Sequence, residues 1–87
     1  MSVTEDLASD LARDTIAAME TYGNDRLYVE VSAVLGATST TLQEAFLTAI
    51  RVRLAERRAR TFLEETVKAA ETGGAAPVAP RASDAGH

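Results

Sequence analysis

Five arginines crowd into ten residues, Arg51, Arg53, Arg57, Arg58 and Arg60, with Glu56 the lone acid among them. Guanidinium groups are planar, permanently charged and forked, so they suit the paired oxygens of carboxylates or phosphates. Three kinds of partner fit that chemistry. One is a nucleic-acid backbone. Another is the acidic set Asp6, Asp10 and Asp14 on a second copy of the chain. The third is solvent, with local relief from Glu56 and Glu64. The aspartates recur every four residues, which ladders them along one edge of a helix. Such a ladder offers oxygens to a hard divalent cation. No histidine and no Glu-x-x-His pair backs it, so the sequence assigns no metal ligands and reads the three acids as solvated or paired surface groups.

Other chemistry is thinly supplied. There is no cysteine, and the single histidine is His87. General-base and nucleophile roles therefore lack their usual carriers. Disulfides and thiolate metal sites are excluded outright. Glu64 and Glu65 are neighbours, so on a helix they point apart and make a poor acid–base pair. Tyr22 and Tyr28 read as half-buried core residues. Nothing matches a phosphate-cradling glycine loop, a zinc-ligand spacing or a nucleophile elbow. The expectation is a chain that is not an enzyme, with no catalytic residues and no cofactor.

The elements that carry these residues read as helices. Over 3–22, Val3, Leu7, Leu11, Ala18 and Tyr22 fall on one face, and Ala8, Ala12, Ile16 and Met19 widen it. Ser2 with Glu5 fits a capping box, and Gly23 is a natural stop. Residues 25–35 fit two periods. As a strand, Leu27, Val29, Val31, Ala33 and Leu35 alternate with polar neighbours. As a helix, Leu27, Val31, Val34 and Leu35 share a face, with Asn24 or Asp25 as cap and Gly36 as stop. No second strand is visible to pair with, so helix is preferred. The alternative is a strand pairing across a dimer. Thr41 with Glu44 suggests another capping box, and no glycine or proline interrupts the chain until Gly73.

The fold class expected is therefore all-α, with three helices at about 3–22, 25–35 and 41–72. Residues 1–72 read as a single helical domain. The tail, 73–87, is rich in Ala, Gly and Pro and reads as disordered. The two shorter helices should pack on the first half of the third around Leu7, Leu11, Met19, Leu27, Val31, Leu35, Leu42, Phe46 and Ile50. A helix over 41–72 spans about 48 Å, whereas a compact domain of this size is only roughly 30 Å across. Its own chain cannot cover it end to end.

A second stripe on that helix, Ala45, Ala49, Val52, Leu63 and Val67, lies away from the stripe of Leu42, Phe46, Ile50 and Leu54 and is a candidate subunit interface. Alanine supplies 17 of the chain's residues, so few bulky side chains remain for a core, and small domains without a staple draw stability from a partner. The partner expected is the chain itself, as a homodimer or higher assembly through the C-terminal helix, with another protein as a further option. Net charge is −4 overall but segregated. Residues 1–50 set eight acids against two arginines, while 51–60 set five arginines against one acid. A chain this acidic argues against nucleic acid as a general partner. No run of 18 apolar residues suggests a membrane span, and no secretory signal is visible, so a cytoplasmic location is expected.

The stretch TLQEAFLTAIRVRLAERRAR, residues 41–60, resembles the second helix of ribbon-helix-helix antitoxins of the VapB type. LGATST, residues 35–40, is similar to their interhelical turn. The resemblance implies a DNA-binding dimer whose N-terminal strands pair and read bases, with a C-terminal extension that blocks a toxin. Here the place of the reading strand is taken by ARDTIAAMETYG, residues 12–23, which reads as helix and carries Asp14 and Glu20. The functions expected are a small non-catalytic helical interaction or assembly protein acting as a homo-oligomer, or, as alternatives, such an antitoxin or the accessory subunit of an enzyme.

Overall fold

The computed structural model describes residues 2–80. Three α-helices follow one another: α1 (Val3–Tyr22), α2 (Leu27–Gly36) and α3 (Thr40–Thr72). The fold is all-α, and no strand occurs among the described residues. The strand alternative for 25–35 is thereby overturned. α2 turns Leu27, Tyr28, Val31, Ser32 and Leu35 inward, a helical spacing that a two-residue period cannot produce. The ribbon with which VapB-type proteins read DNA has no counterpart among these residues.

Local chemistry sets the ends. The N–H of Glu5 donates to Ser2 Oγ at 3.1 Å, and the Ser2 hydroxyl donates to Glu5 Oε1 at 3.0 Å. α1 ends at Gly23, whose φ of 67° is left-handed. The N–H of Asn24 then returns to Met19 O at 3.1 Å, closing the last turn. Asn24 Oδ1 accepts from the N–H of Arg26 at 3.2 Å, so Asn24 shapes the turn and no side chain caps α2.

The start of α3 differs from the expected Thr41–Glu44 box. Ser39 is the cap, accepting at Oγ from the N–H of Leu42 at 3.1 Å. The N–H groups of Thr38 and Ser39 both donate to Leu35 O, at 3.1 and 2.8 Å. These two hydrogen bonds to one acceptor fix residue 39, ahead of its threonine neighbours, at the capping position. α3 closes as α1 does, with Gly73 at φ 76° and the N–H of Gly74 on Ala69 O at 3.0 Å.

The chain divides into two compact units, Met1–Ala55 and Glu56–His87. In the first, Ala8, Ala12 and Ile16 of α1 meet Phe46 and Ile50 of α3 in a fully buried core. Leu11, Tyr28, Val31, Leu35, Leu42 and Leu54 pack round it, partly covered. Phe46 and Ile50 are where the sequence puts them. Leu7 is not, since it stays 55% exposed. Alanine at 8 and 12 lets the two helices approach closely, and Leu7 on the same contact line would hold them apart. Tyr22 is likewise corrected from half-buried to 81% exposed.

Gln43 anchors α2 to α3. Its Nε2 donates to Ser32 O at 3.0 Å and to Ser32 Oγ at 3.3 Å. In the second unit Ala69 is buried and Phe62, Thr66 and Pro77 are half-buried. Residues 74–80 take no regular structure. The rest of the expected tail, 81–87, lies outside the described residues.

Candidate functional site

The first unit carries a groove between α1 and α3. Ala45, Thr48, Ala49 and Val52 line it from α3, and Glu5 and Ser9 from α1; its volume is about 440 Å3. Helical period places the four α3 residues at i, i+3, i+4 and i+7, a single face. Their side chains are small or aliphatic, so the wall they build is mostly methyl. Ala45 and Ala49 are half-buried against the core, while Val52 is 62% exposed. Three residues of the candidate interface are thus brought together beside α1. The other two, Leu63 and Val67, belong to the second unit, where both are exposed.

Arg13 and Arg60 pair with acids close by in the sequence. Arg13 sits inside the aspartate ladder and takes two of its members, Asp10 at 3.5 Å and Asp14 at 3.2 Å. Arg60 pairs with Glu56 at 3.1 Å. All these side chains are more than half exposed, so each pair contributes little to folding. Arg53 does something the sequence does not suggest. It is half-buried and donates from Nη2 to Ser9 Oγ at 2.7 Å, joining α3 to α1 at the edge of the groove. Asp6, Arg51, Arg57 and Arg58 are exposed.

Two functional features escape the sequence pattern. Ser9 lies 44 positions from Arg53, and no periodicity connects residues so far apart. Leu7, expected inside, and Val3, on the same apolar face of the pattern, both point outward on α1. Arg13, by contrast, is legible: it stands at i+3 from Asp10 and beside Asp14.

The groove has one titratable lining residue, Glu5, whose carboxylate accepts the Ser2 hydroxyl. Among the described residues, no cluster of three or more His, Cys, Asp or Glu is placed to hold a metal ion. No buried side-chain nitrogen or oxygen there lacks a hydrogen-bond partner. No described helix is long and apolar enough to cross a membrane. What the groove can do is cover apolar side chains of another surface, with guanidinium and carboxylate groups at its margin. The chain matches no protein-family model, no curated protein and no solved structure.

Proposed function

We propose that this chain is a non-catalytic helical assembly module that acts as a homo-oligomer, with the α3 face Ala45, Ala49 and Val52 in the contact. One observation carries the reading. Among its described residues the first unit fully encloses only three large apolar side chains, covers others in part and leaves six exposed. Val3, Leu7, Tyr22, Val29, Val34 and Val52 stand out, while Ile16, Phe46 and Ile50 are enclosed. Covering such groups is favourable by roughly 25 cal/mol per Å2 of apolar surface; singly scattered ones are ordinary, but Val3 and Leu7 lie one turn apart on α1, and Val52 shares the groove face with Ala45 and Ala49. A core this thin, in a chain without cysteine, gains from a partner what it cannot supply alone. A second copy is the partner that brings both the apolar surface and the opposite charge.

Sedimentation equilibrium across a dilution series, run beside circular dichroism, tests the reading. The mass should exceed that of one chain and fall toward it on dilution, with helicity falling in step. A monomer that keeps its full helicity at the lowest concentration refutes it.

A further inference from the structure

We propose that the groove between α1 and α3 receives the outward face of α1 from a second copy, so that copies join head to tail. The inference rests on the self-association reading above and names the two surfaces that meet.

The groove is shaped as a hole. Ala45, Thr48, Ala49 and Val52 make the four-residue outline into which a side chain of a facing helix inserts. The small members leave room for more than one aliphatic side chain. α1 supplies the knobs. Val3 and Leu7 are one turn apart, are 75% and 55% exposed, and lie outside the core cluster. Leu7 is two residues from both Glu5 and Ser9, so it projects about 200° round the helix from the groove wall. One side of α1 therefore walls a groove, and the other offers the bulky groups that the groove lacks.

Charge points to a second copy as the occupant. Asp10 and Asp14, at i+3 and i+7 from Leu7, share its face. Both lean on one guanidinium, that of Arg13, so the face that carries the knobs is acidic. The groove's Val52 is flanked in sequence by Arg51 and Arg53. Arg53 is pinned at the groove's edge by its bond to Ser9. Glu5, the acid lining the groove, is engaged by the Ser2 hydroxyl. An acidic apolar helix face thus meets an apolar hole flanked by two arginines and one carboxylate, that of Glu5.

The geometry also fixes how the assembly grows. Knob and hole lie on opposite sides of α1, so one contact between two copies leaves one of each unfilled and is not two-fold symmetric. The contact is heterologous and continues into a ring or an open chain. An α3-on-α3 pairing would instead stop at two.

Sedimentation velocity on the full chain with two surface variants tests this. Leu7→Gln removes a knob, and Val52→Glu places a carboxylate in the hole. Both positions are more than half exposed, so neither change removes a core contact, and each variant should keep the helicity of wild type diluted to the same degree of association. Val3→Gln and Thr48→Glu replace either variant that loses it. The wild-type chain should form species larger than a dimer that grow with concentration. Each variant alone should associate about tenfold more weakly or worse. An equimolar mixture should give a one-to-one complex that grows no further, because the knob of the Val52→Glu chain enters the open hole of the Leu7→Gln chain. A mixture that stays monomeric while wild type assembles overturns the proposal. So does a wild type that stops at a dimer, or a Leu7→Gln chain that associates as wild type does. Each of these leaves self-association standing and assigns the groove to another surface. A wild-type chain that is monomeric throughout overturns both.

Discussion

Gly36 ends α2 with Gln43 laid against it. A methyl group on Gly36 would fall 2.5 Å from Nε2 and 2.8 Å from Cδ of Gln43. Both are well inside contact distance, so in a Gly36→Ala chain the Gln43 carboxamide must swing away. Two effects then compete. Alanine gains about 0.5–1 kcal/mol over glycine in a helix. Against it stands the loss of the Gln43 bonds to Ser32 O and Oγ, and the Ser32 hydroxyl is buried. A net bond contributes about 0.5–1.5 kcal/mol, and an orphaned buried hydroxyl costs about 1–3 kcal/mol. The loss wins, and Gly36→Ala should destabilise by about 1 kcal/mol. In a Gln43→Ala background nothing remains to displace. There Gly36→Ala should stabilise by about 0.5 kcal/mol. The sign of one substitution thus reverses with its neighbour, for a coupling of about 1.5 kcal/mol. Urea unfolding of the four chains, followed by circular dichroism at one protein concentration, measures the cycle. If Gly36→Ala has the same sign in both backgrounds, contact with Gln43 is not what requires glycine there.

Two further substitutions probe the first unit. Phe46→Ala empties a position with no solvent exposure and should cost about 3–5 kcal/mol, most of what a small domain has, so the cooperative thermal transition in circular dichroism should be lost. Ser39→Ala removes the cap on Leu42 and should lower stability by about 1 kcal/mol, while Thr41→Ala should leave the urea midpoint unchanged; the reverse order would return the helix start to Thr41.

The helices themselves were largely legible because their ends carry local chemistry. Ser2 with Glu5, Gly23 and Gly73 each act through neighbours a few positions away, and the structure finds each at the terminus it marks. The start of α3 was harder, since Ser39, Thr40 and Thr41 offer three successive hydroxyls. The choice among them falls to Leu35 O, which holds the turn from the preceding helix. Residues 25–35 were ambiguous for a different reason. Their β-branched content favours a strand, and packing against α1 and α3 overrides that preference. Of the groove, the α3 wall could be read from the period of Ala45, Ala49 and Val52. The α1 wall could not, because Ser9 carries no mark that it will meet Arg53.

α1 shows most clearly where pattern reading reaches its limit. Its apolar residues cover a broad arc, and hydrophobicity alone favours the bulkier edge, Val3, Leu7 and Leu11, as the inward one. The structure instead centres the contact on Ala8, Ala12 and Ile16, keeps Leu11 at its margin and leaves Val3 and Leu7 outside. The reason lies on α3. Phe46 and Ile50 are large, and a helix that seats both needs a shallow surface opposite, which Ala8 and Ala12 provide. Size is shared across the contact, with large on one helix and small on the other, as dense packing requires. Once the small edge is committed to the core, Val3 and Leu7 have no place inside their own unit. The groove has the opposite character, small residues with bulky ones wanting. α1 commits Ile16 to its own core but leaves Val3 and Leu7 outside it, beside a hole that its own chain leaves unfilled; the proposed assembly brings these two surfaces together between copies.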